Sequence, residues 1–404
     1  MAIFCFTFLH CLLFKKHHHR LLRNWPVLGM LPGLLVELYR IYDFTVEVLE
    51  STNLTFPFKG PWFSGMDMLL TVDPANIHYM LSSNFHNYTK GTDFKEVFDA
   101  FRDSILTTES EAWKNLRKAS QVMMYHHGFQ KLSVSTTISK LKDGLVPLLN
   151  RFAEEGTTVD LQDVLGRFMF DTTLVSVTGC DDPLSLSFEM PEVESAKALH
   201  DIGEGILYRH LKPRLLWKLQ NLFGVGTEKK MIEAGATFDR VCEKYISAKR
   251  EEIAKGINHE SEDLLTSHLK LDATKFAKRW THAALCETMR LYPPVPIERV
   301  SPVRSDVLPS GHKVEANSKI IILIYALGRM KAVWGEDASE FKPERWITET
   351  GMLRHEPSFK FLEVVVEILQ NFEFKVDERQ IIEPGPHLIL SMKHGFRVSV
   401  SKRP

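Results

Sequence analysis

The sequence has few cysteines, no excess of charge of either sign, and no apolar run long enough to cross a bilayer. Its 404 residues include 5 cysteines with no C-x-x-C pair. This predicts neither a disulfide framework nor a zinc site and is typical of a reducing, cytosol-facing compartment. Lysine plus arginine number 50 and aspartate plus glutamate 51, so no overall field attracts nucleic acid and we predict no such partner. The cysteines are Cys5, Cys11, Cys180, Cys242 and Cys286.

The amino terminus contains the most apolar segment of the chain. Residues 2–14 are nearly all apolar and precede a basic cluster that includes His17, His18 and His19. The segment is shorter than the roughly 20 residues of a membrane-spanning helix. Its charge follows the apolar run, which favours a retained anchor with a cytosolic basic side over a cleaved signal peptide. The alternative is a buried start of the globular domain. We predict an anchor with a basic flank over residues 1–23 and no metal site at the histidines.

The rest of the sequence predicts one helix-rich domain behind a short hinge. Residues 24–35 are rich in proline and glycine, which predicts the hinge. Residues 36–404 predict a mainly α domain with a small β lobe, because helical periodicity dominates from residue 111 to 255. Asp73 and Pro74 supply an N-cap and a first-turn proline for a helix to about residue 81.

Two sets of side chains and five segments carry this prediction. The helical spacing is seen in Leu141, Leu145, Leu148, Leu149 and Phe152, and again in Phe238, Val241, Tyr245 and Ile246. The predicted strands are residues 54–58, 68–72, 307–314, 319–324 and 387–400.

A pair of motifs in the last third of the chain narrows the prediction. Glu287 and Arg290 are three apart on one helix face, and two prolines end that helix. The segment Phe-Lys-Pro-Glu-Arg-Trp follows at residues 341–346. Together the motifs resemble those of the cytochromes P-450, the haem-thiolate monooxygenases. The resemblance implies a buried, structural ion triad of Glu287, Arg290 and Arg345, whose breaking would cost about 3–5 kcal/mol. It also implies the fold of that family.

The resemblance also implies haem-binding residues. Trp113 and Arg117 lie four apart on one helix face, and in the family this W-x-x-x-R pair donates to a haem propionate. By itself such a pair is more often an exposed arginine packed on an aromatic ring. Arg299 follows the helix-ending prolines where relatives have another propionate-binding arginine. These three residues are the predicted cofactor-binding set.

The resemblance covers nearly the whole chain. Within the family, the sequence is similar to plant hydroxylases of long-chain fatty acids and alkanes. Residues 24–29, 113–118 and 333–337 support this narrower placement. It implies a haem cofactor, an NADPH-dependent reductase as partner, and a long-chain aliphatic substrate of the cuticular wax type. It further implies attachment to the cytosolic face of the endoplasmic reticulum membrane.

The family's thiolate loop is missing from this sequence. A haem-thiolate enzyme needs a cysteine ligand, which the family supplies in an F-x-x-G-x-R-x-C-x-G loop. Here Phe361 leads directly into a helical segment, and no cysteine follows Cys286. We interpret this as an internal deletion near residues 361–363, so the P-450-like fold is incomplete. Without a thiolate the sequence argues against haem binding, and it predicts no catalytic residue and no metal ligand.

A second internal deletion is predicted near residues 272–280. The family's A/G-G-x-D/E-T helix, whose acid and hydroxyl manage protons, is absent there. Asp171, Thr172 and Thr173 imitate part of it, and we interpret them as ordinary packing. Three histidines could be considered as substitute iron ligands, but single histidines in strands or turns are usually surface residues: His355, His387 and His394.

Three functions remain open from the sequence. The first is a membrane-bound monooxygenase that acts on an aliphatic C–H bond. The second is a non-catalytic pseudoenzyme, a splice variant or the product of a mispredicted gene, with at most a membrane-associated binding role. The third is an unrelated helical membrane-associated binding protein. Loss of a core helix would expose apolar surface, so we also predict poor solubility.

Overall fold

The structure is a computed structural model that describes most of the chain. The described residues are 22–91, 93–125, 127–178, 185–254, 275–347, 368–385 and 389–403. Several predictions lie outside them: the apolar segment and the triple histidine before residue 22, His355 and His387, the deletion predicted near residues 361–363, and residues 272–274 of the deletion predicted near 272–280.

Helices form most of the described chain, and the prediction of a mainly α fold with a small β lobe is confirmed. The helices are α1 Leu31–Val36, α2 Ile41–Ser51, α3 Pro74–His78, α4 Phe94–Val97, α5 Ser110–Tyr125, α6 His127–Lys140, α7 Val146–Glu155, α8 Leu161–Thr178, α9 Glu194–Leu211, α10 Arg214–Phe223, α11 Gly226–Ala254, α12 Lys275–Leu291, α13 Ile324–Leu327 and α14 Lys331–Trp334. The strands are β1 Thr55–Phe58, β2 Met68–Thr71, β3 Tyr88–Thr89, β4 Thr158–Asp160, β5 Ile297–Pro302, β6 Asp306–Val307, β7 Lys313–Val314, β8 Lys319–Leu323, β9 Phe372–Val376 and β10 Arg397–Lys402.

The largest described sheet joins the start of the chain to its last third. Its strand order is β1-β2-β8-β5-β3, in which β2 runs parallel to β8 and the other pairs are antiparallel. Strand β8 has the sequence Lys-Ile-Ile-Ile-Leu, and its last four side chains are buried. Such a β-branched run suits a central strand that is covered on both faces. Through β8 and β5 the sheet therefore sets the position of residues 297–302.

Most predicted start and end signals are close to the observed boundaries, but the strand predicted over residues 387–400 begins only at Arg397. The Asp73 carboxylate accepts a 2.9 Å hydrogen bond from the Ala75 backbone N–H, as an N-cap does, although α3 gives way to a π-helical turn after His78. In the hairpin of β6 and β7, Gly311 has a φ of +82°, which a glycine accepts without strain. Strand β8 ends at Leu323, one residue before the predicted boundary, because α13 begins there.

The apolar side chains form separate clusters, and the predicted helical series takes part in one of them. Leu141, Leu145, Leu148 and Leu149 are buried together with residues of α8, β9 and β10. In α11 the prediction is only partly right. Tyr245 is buried, but Ile246 is 52% exposed, because the neighbouring helices cover one face of α11 only.

The segment predicted as a hinge lies against the domain. The Met30 backbone N–H donates to the Lys59 carbonyl at 2.7 Å, and Trp62 N–H donates to the Val27 carbonyl at 2.8 Å. At Gly29, where φ is +60°, a side chain would meet the backbone of Gly60 at 2.2 Å. The close approach of these two backbones therefore requires glycine at position 29.

Among the helices of the described residues, none has the length and apolar character that crossing a bilayer requires.

Candidate functional site: a buried ion cluster and a separate arginine

The structure brings Glu287, Arg290 and Arg345 together. Glu287 is fully buried on α12, and the Arg290 side chain one turn later is almost as buried. Arg290 Nε and Nη2 donate to the two Glu287 carboxylate oxygens at 2.8 and 2.7 Å. This two-point geometry is the strong form of an arginine–carboxylate pair.

The segment after α14 also donates hydrogen bonds to the Glu287 carboxylate. The Lys342 backbone N–H donates to Glu287 Oε1 at 2.8 Å, and Trp346 Nε1–H donates to Oε2 at 3.0 Å. Arg345 Nε lies 3.4 Å from Oε1, within ion-pair distance but without a hydrogen bond. Its nearer acidic partner is Asp337, at 2.6 Å. Sequence reasoning missed Asp337 and Trp346, although both are within ten residues of Arg345.

Arg290 also holds the following segment in place through backbone carbonyls. Its guanidinium donates to the Gly328 and Ala338 carbonyls, the second at 2.6 Å, and to the Glu340 carbonyl at 3.1 Å. The Trp334 ring lies 5.0 Å from the Arg290 guanidinium carbon. One buried arginine therefore joins α12 to the chain that leads into residues 341–346.

The electrostatics agree with a charged, structural cluster. Burial would raise the pKa of Glu287, but hydrogen bonds from Arg290, the Lys342 N–H and Trp346 outweigh it and hold that pKa below its usual range. Asp337 has its pKa lowered to about 2, chiefly by hydrogen bonds from Lys342 and Arg345. Both carboxylates stay ionised at neutral pH, so neither acts as a proton donor there.

Trp113 and Arg117 lie side by side on α5, but they form no closed site. The Arg117 guanidinium carbon lies 5.4 Å from the Trp113 ring, and Phe85 packs 6.2 Å from the same ring. Arg117 is exposed, and within the part of the chain that the structure describes it makes no hydrogen bond or ion pair. This is the stacked arrangement that an isolated W-x-x-x-R pair often has.

Arg299 is in a different situation, because its charge is already paired. It lies on β5, is 4% exposed, and its Nη2 donates to Asp93 Oδ1. Lys319 on β8 approaches the other oxygen of Asp93 at 3.0 Å. The sequence did not indicate Asp93, which is 206 residues from Arg299 along the chain.

The two described cysteines do not suit an iron thiolate. Cys242 on α11 and Cys286 on α12 are both half-buried. Burial raises the pKa of each thiol, which favours the neutral form over the thiolate that binds metal. Cys286 directly precedes Glu287, whose side chain is held by the ion cluster.

Other residues that could be considered for proton handling or metal binding have structural partners. Asp171 is buried and accepts the backbone N–H groups of Ser185 and Leu186 at 3.1 and 2.9 Å. The Thr172 hydroxyl donates to the Phe168 carbonyl within α8. His394 is on the surface beside Glu383, at 3.3 Å. Over the described ranges, no three His, Cys, Asp or Glu side chains are placed to hold a metal ion.

These residues do not fit a thiolate-bound haem. The donor set contains no described thiol that favours the thiolate, Arg299 already has a carboxylate, and Arg117 faces solvent. What the site does contain is a buried ion cluster that joins α12 to residues 341–346.

The mainly helical body with its small sheet lobe agrees with the fold that the resemblance implied. A family model described as "Cytochrome P450" matches residues 21–279 and 279–362, which is most of the chain. The chain therefore belongs to the cytochrome P450 family.

Curated relatives agree over nearly the full length. The chain is 46% identical to the Arabidopsis thaliana protein named "Alkane hydroxylase MAH1", over 96% of this chain and 95% of that protein. It is 33% identical to "Noroxomaritidine synthase 2" of Narcissus pseudonarcissus, over 100% and 96%. It is 28% identical to "Cytochrome P450 86B1" of Arabidopsis thaliana, over 100% and 89%. The first alignment spans 473 positions, more than the 404 residues present here, so it contains gaps in this chain.

Proposed function

We propose that this chain is a non-catalytic member of the cytochrome P450 family, an internally shortened relative of the aliphatic hydroxylases. The observation that carries the proposal is the position of the last cysteine. Cys286 adjoins the buried Glu287, its thiol pKa is raised by burial, and no cysteine follows it in the sequence. A haem-thiolate monooxygenase depends on a cysteine thiolate bound to iron.

Two features of the comparisons support internal shortening. The family match is divided into two segments that meet at residue 279, and it ends at residue 362. The predicted deletions are near residues 272–280 and 361–363. The gaps in the alignment with the alkane hydroxylase agree with missing internal sequence.

The remaining role of such a chain is structural or binding. We propose that the N-terminal anchor attaches it to the cytosolic face of the endoplasmic reticulum membrane. Trp113, Arg117 and Arg299 are then remnants of a haem-binding set, while Glu287, Arg290 and Arg345 keep their structural role. The ion cluster supports this division, since both oxygens of the Glu287 carboxylate accept hydrogen bonds from groups of the chain itself.

The second candidate is an active hydroxylase of long-chain alkanes or fatty acids. The 46% identity to an alkane hydroxylase favours it. Proteins of this family generally bind haem, receive electrons from a reductase and act on hydrophobic substrates. For this chain the candidate requires some cysteine to reach the iron.

An absorption spectrum separates the two candidates. The full chain is expressed, supplied with haem, reduced and exposed to carbon monoxide, and compared with the Cys286→Ser and Cys242→Ser variants. We expect no thiolate-type Soret band in any of the three proteins. A thiolate-type band in the unmodified chain that one substitution abolishes would refute the non-catalytic proposal and identify the ligand.

A further inference from the structure

The buried Arg299 and the half-buried Lys319 share one carboxylate. Arg299 is on β5 and Lys319 on the neighbouring strand β8, and both reach the two oxygens of Asp93. Lys319 Nζ also donates to the Gly65 carbonyl at 2.7 Å. Since a buried arginine without a counterion is strongly unfavourable, the stability of this corner depends on Asp93.

The positive charges around Asp93 outnumber the negative ones among the described residues. Arg299 Nε is buried and has no hydrogen-bond partner among the residues that the structure describes. His210 on α9 is close enough to be influenced by both cations. Burial is the main cause that lowers its pKa to about 4, and at neutral pH it adds no charge. Within the described ranges, Arg299 and Lys319 are thus paired with one carboxylate, that of Asp93.

The Asp93 carboxylate reaches the cations because the preceding loop approaches β5 very closely. Gly91 has a φ of +92°, and a side chain there would meet Ser301 Cβ at 2.9 Å and Arg299 Nη2 at 3.4 Å. Burial would raise the pKa of Asp93, but Arg299 and Lys319 outweigh it and hold the pKa below its usual range. The carboxylate is thus ionised and directly bound to both cations.

We propose that Asp93 is an internal carboxylate that neutralises Arg299 and Lys319 and thereby competes with any ligand carboxylate, such as a porphyrin propionate, for these two cations. A ligand acid must displace Asp93 to reach Arg299, and the displaced carboxylate must then be solvated again. This competition would weaken porphyrin binding whether or not an iron ligand exists. The proposal therefore stands apart from the question of the thiolate.

The first test is chemical rescue of the haem-free full chain. Asp93→Ala removes the carboxylate and leaves space for one, so sodium propionate should raise the urea midpoint of this variant more than sodium chloride at equal ionic strength. Asp103→Ala, which removes an exposed partner of Lys95, is the matched control and should show no such difference. Asp93→Ala combined with Arg299→Gln should lose the rescue. If propionate acts no better than chloride on Asp93→Ala, or fails to restore its folding, the proposal is wrong.

The second test measures competition directly with Asp93→Asn, which keeps the side-chain volume. Metal-free protoporphyrin IX carries two propionates and no iron, so its quenching of tryptophan fluorescence reports binding without iron ligation. We expect the variant to bind it about tenfold more tightly than the unmodified chain, and we expect Asp93→Asn with Arg299→Gln to lose that gain. Equal affinities for the unmodified chain and Asp93→Asn would overturn the proposal.

Discussion

Replacing Glu287 by glutamine tests the reasoning about the ion cluster most severely. The substitution keeps the size of the side chain but removes the charge that faces Arg290, whose side chain is only 2% exposed. It also replaces one of the two acceptor oxygens by an NH₂ group that points at donors of Arg290 or its neighbours. An unpaired buried charge costs about 3–5 kcal/mol, a large part of the roughly 5–15 kcal/mol that holds a domain together.

Urea unfolding of the full chain, followed by circular dichroism and tryptophan fluorescence, measures this loss. Trp334 and Trp346 lie 6.0 Å apart beside the cluster and should report its opening. The control is Glu111→Gln, because Glu111 forms an exposed pair with Lys114 and such pairs contribute little. A loss below about 1 kcal/mol for Glu287→Gln would refute the view that this cluster stabilises the fold.

The stability difference between the unmodified chain and Glu287→Gln should depend on pH. The pKa of Glu287 is lower in the folded chain than its usual value of 4.5. Its contribution to stability is therefore complete above pH 4.5 and is lost as the pH falls through the folded pKa. We expect the difference in unfolding free energy between the unmodified chain and Glu287→Gln to shrink below pH 4.5. A difference that stays constant as the pH falls would contradict the assigned cause.

Two further predictions concern packing and solubility. Gly328→Ala should destabilise the fold strongly, because its new Cβ would lie 2.0 Å from the Arg290 carbonyl oxygen. Gly235→Ala in α11 places its Cβ where no atom lies within 4 Å, so this variant should be more stable by about 0.5–1 kcal/mol. Urea unfolding midpoints of the two variants check both expectations. Leu215 and Leu222 on α10 are 72% and 77% exposed. Replacing both by glutamine should raise the soluble fraction after centrifugation without lowering the urea midpoint, and an unchanged soluble fraction would contradict a role of this face in aggregation.

Local rules carried much of the fold prediction. Asp73 caps α3 because its short carboxylate accepts a backbone N–H of the first turn, which has no partner inside the helix. Leu141, Leu145, Leu148 and Leu149 are buried together because their spacing places them on one side of a helical segment. The pairing of Glu287 with Arg290 also follows from their separation of three on a helix. The absence of a cysteine after Cys286 is a property of the sequence alone.

The partners of the long-range charges were decided only by tertiary structure. Glu287 accepts a hydrogen bond from Trp346, and Arg299 donates one to Asp93, which lies in a loop 206 residues earlier. Trp346 belongs to the motif that the resemblance paired with Glu287, but nothing in the sequence relates Arg299 to Asp93, because their proximity depends on how β5 and β8 are placed beside the loop before α4. A resemblance predicted that Arg299 binds an external carboxylate, whereas the fold supplies an internal one. Buried charges must be paired where they end up, and that place is set by the packing of the whole chain.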